Sequence, residues 1–318
     1  MKKLLELLFL KNIKGFGSVT INKKFVPLLE PISTLDECIR LVEDSEEKVS
    51  SVDISKAREI AEKKYKGILD DLDLKVITIF DDEYPEKLKD LQDKKPIILY
   101  AKGDITVLSQ PNIAIVGTRK PSEWSMKVEG RLVQKILDLS ERVIISGLAL
   151  GCDKIAHETT VLAGKKTVAV LPSGVNVITP ASHKKLANSI IETGGCLLSE
   201  YEPNAKVTRS TYVERDAVIA ALSDATMVIE CDVKSGTMHT VDAAEQMTRK
   251  LACYYIDDVK KGEYGGNELM IKEKGAAKVT DTEELALFLE QLSGIPENTK
   301  EPEPKQLCIE DLLGADVE

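Results

Sequence analysis

From Val76 onward the chain repeats one pattern: a short apolar run followed by a segment of helical length. The runs are VITIF (76–80), PIILY (96–100), NIAIVG (112–117), RVIISG (142–147), KTVAVLP (166–172), GCLLSE (195–200), ATMVIE (225–230) and LACYYI (251–256). Each is too short for a buried helix, and most are rich in Val, Ile or Leu. Continuous apolar strands of this kind belong to parallel sheets covered on both faces. The segments at about 122–139, 153–163, 181–193, 212–222 and 237–249 have helical length. Strand alternating with helix predicts an α/β fold with a doubly wound, mainly parallel sheet. Such sheets bind ligands beyond the carboxyl ends of their strands, so the turns after the runs are where function is sought.

Residues 1–74 read differently. Leu4, Leu5, Leu7 and Leu8 form an apolar face, and a second helix spans about 54–65. Thr34 with Glu37, or Ser33 with Asp36, has the spacing of a capping box. The expected organisation is a small helical N-terminal domain (1–74), of SAM or helix-hairpin-helix type, and an α/β domain (75–293) closed by a strand at 278–280 and a helix at 283–292. An acidic tail (294–318) follows. Residues 296–318 hold seven acidic and two basic side chains, a net of −5, and read as disordered, with KQLCIEDLL (305–313) as a possible docking segment or simply as solvated chain.

Charge and cysteine usage narrow the function classes. The 43 Lys and Arg against 53 Asp and Glu exclude a globally basic nucleic-acid binder but leave room for a local basic groove. Only 4% of residues are aromatic, so stacking cannot be a pervasive binding device. Six scattered cysteines without a CxxC pair, and three histidines, argue for reduced buried thiols rather than a zinc cluster. No apolar run reaches the roughly 18–20 residues of a membrane span. In MKKLLELLFLK, Glu6 and Lys11 break the pattern of a signal peptide. The expectation is a cytoplasmic protein without membrane contact, metal or cofactor.

Four strand ends carry the candidate chemistry. IAIVGTRKPS (113–122) places Gly117, Thr118, Arg119 and Lys120 before a helix, where glycine, free amides, a hydroxyl and a guanidinium can hold a phosphate. A tight turn with a surface arginine is the plain alternative. The GxGxxG dinucleotide fingerprint is absent. VIISGLALGCDKIAH (143–157) places Ser146, Gly147 and Gly151 at the next turn, with Asp153 as a helix cap or part of a second cradle; His157 reads as a packing residue. LPSGVNVITPASHKK (171–185) offers Gly174 and the cations His183, Lys184 and Lys185. Lys234, Ser235, Gly236 and Thr237 combine cation, hydroxyl and glycine ahead of the last long helix. Each turn alone could be a solvated loop; four together suggest an extended anionic ligand. In the N-terminal region, Gly15-Phe16-Gly17 between Lys14 and Lys23–Lys24 reads as a helix-packing turn, or as the hairpin of a helix-hairpin-helix module that binds DNA phosphates.

These segments, in order with YPEKL (84–88), LYAKGD (99–104), LLSEY (197–201) and RDAVIAALSDATMVIE (215–230), resemble the DNA-processing protein A family (DprA, also called Smf). The resemblance covers about 84–256. It implies a Rossmann-like domain that binds single-stranded DNA, forms homodimers and helps load a RecA-type recombinase in DNA uptake and recombination, without enzymatic activity. It implies phosphate contacts at Gly117, Thr118 and Arg119, an adjoining pocket shaped by Ser146, Gly147, Gly151 and Asp153, and a continuing groove along Gly174, Lys184, Arg215, Ser235, Gly236 and Thr237. Where the family usually has Arg-Asn-Arg, this chain has Arg215-Asp216-Ala217, with Glu214 alongside, which implies weaker DNA binding. Asp257-Asp258 replaces the usual Pro-Gly, and the winged helix of some members is not expected.

Two other functions remain open. Related nucleotide-cleaving families carry GGxGTxxE; here Thr240 stands at the glutamate position, so nucleotide sensing fits better than hydrolysis. A protein–protein adaptor built on the N-terminal helices and the acidic tail could coexist with DNA binding.

Overall fold

Nine strands form one sheet in the order β1-β2-β6-β5-β4-β3-β7-β8-β9. The computed structural model describes residues 1–255 and 264–292. The tail, its possible docking segment and Asp257-Asp258 lie outside the described residues.

The N-terminal helices are α1 (Leu4–Asn12), α2 (Ser18–Thr20), α3 (Val26–Leu29), α4 (Leu35–Glu43) and α5 (Ser51–Asp70), with a π-turn at Ile21–Phe25 joining α2 to α3. The capping box at α4 is the Thr34–Glu37 pair, each side chain bonded to the other's backbone amide. The apolar start is a core helix: Leu4, Leu7, Leu8, Phe9 and Leu10 are buried. Their cluster continues across residue 74 into Val76, Ile98 and Tyr100, so one core joins the helices to the edge of the sheet.

Strands β1 (Lys75–Thr78) and β2 (Ile98–Gly103) pair antiparallel, and β2 pairs antiparallel with β6. Strands β3 (Asn112–Val116), β4 (Val143–Ser146), β5 (Thr167–Val170), β6 (Cys196–Ser199), β7 (Ala225–Val228), β8 (Lys250–Tyr254) and β9 (Ala277–Val279) run parallel. Alternate residues of β3 enter different cores: Ala114 and Val116 one, Ile113 and Ile115 the other. Burial on both faces explains why these strands read as unbroken apolar runs.

Helices α6 (Glu123–Leu139), α7 (Cys152–Leu162), α8 (Lys184–Glu192), α9 (Arg209–Leu222) and α10 (Thr237–Gln246) follow the strands as expected. Helix α11 (Gly265–Glu273) was not foreseen, since its paired glycines carry no helical signal; α12 (Thr282–Leu292) closes the described chain. From β3 the chain winds outward through β4, β5 and β6, then crosses to β7, β8 and β9 on the other side. The winding reverses between β3 and β7, where doubly wound sheets leave a crevice.

Candidate functional site

A cleft of about 420 Å³ opens at this reversal. It brings together Gly117, Thr118, Arg119 and Lys120 after β3 with Ser235, Gly236 and Thr237 after β7. The two turns are stitched: the Thr118 amide donates to the Glu230 carbonyl at 2.8 Å, and Thr237 Oγ1 donates to the Gly117 carbonyl at 3.0 Å. Asp153, Arg215 and Asp216 form the inner wall, with Thr240 beside them.

Arg119 and Lys120 are exposed. The Arg119 guanidinium lies over the ring of Tyr212, 4.9 Å from its centre. Sequence reasoning missed Tyr212. Its signal is the spacing of three residues to Arg215, which puts both on one side of α9.

Arg215, which the resemblance put along the groove, is buried behind it. It is 4% exposed. Its Nε donates to Asp216 at 2.9 Å, and its Nη1 donates to the carbonyls of Gly147 and, at 2.9 Å, Val170. The guanidinium therefore ties α9 to the ends of β4 and β5. Burial raises the Asp153 and Asp216 carboxyls, while Arg215 opposes the rise at both. Asp153 also accepts the Ala149 amide at 3.2 Å, bracing the turn before α7.

The glycines divide in the same way. A Cβ on Gly117 would sit 2.5 Å from Cys152 Sγ, one on Gly147 would sit 2.0 Å from Arg215, and one on Gly174 would sit 1.9 Å from the Glu202 carbonyl. Gly151, at φ +77°, packs against the Thr118 carbonyl. At these positions the close approach is made by the protein itself. At Gly236 a Cβ would meet nothing within 4 Å, so a ligand can reach that backbone.

The start of α6 is occupied from within: the Ser122 amide and hydroxyl donate to Glu230 Oε2 at 2.9 and 3.0 Å. A carboxylate of the chain, rather than a phosphate, holds that helix end. Ser146 is buried, with its hydroxyl on the Ile115 carbonyl at 2.7 Å. His157 is likewise a core residue, 2.8 Å from Thr167 Oγ1, and burial lowers its pKa to about 3. Lys184 and Lys234 are exposed but do not line the cleft. At the N-terminal glycine turn, Phe16 stacks on Phe25 at 5.0 Å, while Lys23 and Lys24 pair with Asp93 and Glu47, which favours helix packing there.

Comparison with known proteins gives the family. The model of the DNA recombination-mediator protein A family matches residues 75–290. The chain is similar to DNA processing protein DprA of Streptococcus pneumoniae (34% identity over 54% of this chain and 60% of the relative) and of Bacillus subtilis (30% over 67% and 70%). It is also similar to protein Smf of Escherichia coli (32% over 68% of this chain, and 58% of that protein). The solved DprA of S. pneumoniae superposes with a TM-score of 0.75 at 26% identity, covering 89% of this chain and 96% of that one. DNA processing protein A from Helicobacter pylori, solved for its single-stranded DNA binding mode, superposes at 0.60 with 28% identity over 68% of this chain and 96% of that one. With the family model spanning more than half of the chain, and the Rossmann-like sheet matching in both solved relatives, the chain belongs to the DNA recombination-mediator protein A family.

Proposed function

We propose that this protein binds single-stranded DNA along the carboxyl ends of its sheet and acts in recombination by helping a RecA-type recombinase onto the strand, as a cytoplasmic homodimer. The observation that carries the reading is the cleft between β3 and β7, which exposed Arg119 and Lys120 line together with Ser235, Thr237 and the open backbone of Gly236. Arg119, Lys120, Thr118 and the Gly236 backbone contact phosphate. Ser146, Gly147, Gly151, Gly174, Asp153, Arg215, Ser235 and Thr237 hold the turns in shape. Lys184 and Lys234, exposed outside the cleft, add long-range attraction.

Binding follows from charge more than from stacking, and it is the whole activity: no covalent step is assigned. The hydrolytic alternative needs a carboxylate where Thr240 stands. The carboxylate of Asp216 in the same cleft is held by Arg215. Among the described residues no helix is long and apolar enough to cross a membrane.

Fluorescence anisotropy of a labelled oligo-dT across a salt series tests the reading. Expected is affinity that falls as salt rises, with a slope near −0.7 per neutralised phosphate. Absence of binding at low salt overturns it. Stimulated assembly of a RecA-type filament on strands coated with single-strand-binding protein tests the recombinase step separately.

A further inference from the structure

We propose that a second cavity, between α5 and the carboxyl ends of β5 and β6, is a nucleobase pocket. It measures about 390 Å³ and shares no lining residue with the phosphate cleft. Lys64, Gly67 and Ile68 of α5 form one wall, Tyr100 of β2 lines it from the sheet, and Asn176 and Glu202 come from the loops after β5 and β6.

Two observations point to a ligand. The first is Gly67, inside a helix of 20 residues. Glycine disfavours a helix interior relative to alanine. Here a Cβ would meet nothing within 4 Å, so packing does not require glycine. Gly67 is exposed at the rim, and its missing side chain keeps the cavity open.

The second is the chemistry of the lining. The Lys64 ammonium is already bonded to Glu202 and, at 2.8 Å, to Asn12. With Asp71 also present, carboxylates outnumber ammonium groups, which disfavours a phosphate. Leu8, Ile68 and Pro203 offer apolar faces to a flat ring. The amides of Asn176 and Asn204, 3.1 Å apart, and the Glu202 carboxylate offer donors and acceptors to its edge. A neutral, planar, hydrogen-bonding group fits, and asparagine amides suit base edges. The base can belong to a strand running along the sheet from the phosphate cleft, which rests on the function proposed above, or to a free nucleoside.

Saturation-transfer NMR with the four deoxynucleosides, on the full chain, tests the pocket. Expected is transfer to at least one nucleoside in the wild type and in Arg119→Ala. It should be lost in Gly67→Phe, whose ring enters the cavity while the helix gains propensity. No transfer in the wild type, or transfer undiminished in Gly67→Phe, overturns the proposal. Oligo-dT anisotropy with Gly67→Phe then separates the sources: weakened binding identifies a base of the strand, and unchanged binding identifies a free nucleoside. A wild type that binds nucleoside but no oligonucleotide would sink the strand function and leave the pocket standing.

Discussion

The Nη1 of Arg215 donates to the carbonyl of Val170 at 2.9 Å, crossing from α9 to the end of β5. The same nitrogen bonds the Gly147 carbonyl at the end of β4, and Nε holds Asp216. One side chain thus closes two strand ends and neutralises buried acid. Arg215→Met leaves two carbonyls and the Asp153–Asp216 pair without it. Removing one partner from a buried charged network costs about 3 kcal/mol. Urea unfolding is expected to register that loss. The salt slope of oligo-dT binding should stay unchanged under conditions where the variant is folded, because Arg215 contacts protein rather than phosphate. A shallower slope would return Arg215 to the DNA-contacting set.

Arg119 is placed for the opposite role. It is exposed and rests on Tyr212. Arg119→Ala should lower oligo-dT affinity about tenfold at low salt, the scale of one charge-assisted contact. It should also reduce the salt slope by about 0.7. Tyr212→Ala removes the platform and any base that stacks there, with a cost of about 1 kcal/mol. Equal slopes for wild type and Arg119→Ala would exclude a phosphate contact at this side chain. Urea midpoints serve as the control, since neither residue is buried.

The strand-end turns were legible because parallel strands buried on both faces write themselves as apolar runs, and each run ended in the glycines and hydroxyls that make a turn. What those residues touch was not legible. Gly117, Gly147 and Gly236 look alike in sequence; two of them accommodate a neighbouring side chain, and one faces open space. The distinction depends on Cys152 and Arg215, which arrive from other turns. Glu230 was read as the end of a strand, yet its carboxylate occupies the start of α6, more than a hundred positions away in the chain. Gly67 gave no signal at all, because a glycine that packing does not require becomes visible only against a cavity. The weak periodicity of GGNELMIKE hid α11 for a simpler reason: paired glycines and a mixed polar pattern carry no amphipathic face.

The contrast between the glycines can be tested directly. Gly236 has helical dihedrals and open space at Cβ. Gly236→Ala should leave the thermal midpoint unchanged or slightly raised, while a methyl at the cleft weakens oligo-dT binding severalfold. Gly117→Ala drives a methyl into Cys152 and should destabilise the fold by about 1–3 kcal/mol, the usual cost of overpacking. A Gly236→Ala protein that binds like the wild type would remove this backbone from the interface.

Glu200 sets a pH dependence at the junction of α1 with the sheet. Lys11 Nζ donates to the Glu200 carbonyl at 3.5 Å. Burial raises the Glu200 carboxyl to about 7, with the Lys11 charge opposing and Glu214 adding to the rise. Burial also lowers the Lys11 ammonium. The folded protein therefore holds the Glu200 proton across a range in which the unfolded chain, near pKa 4.3, has released it. The stabilisation is fully present below about pH 4 and is lost as pH rises through about 7. Glu200→Gln mimics the protonated form. The variant's lead over the wild type should be small near pH 5 and grow to about 1–2 kcal/mol at pH 8, the partial exposure of this side chain being allowed for. Other buried carboxylates titrate in both proteins and cancel in the difference. Thermal melts at half-unit steps from pH 5 to 8.5 measure it, and a difference that does not vary with pH would exclude Glu200 as its source.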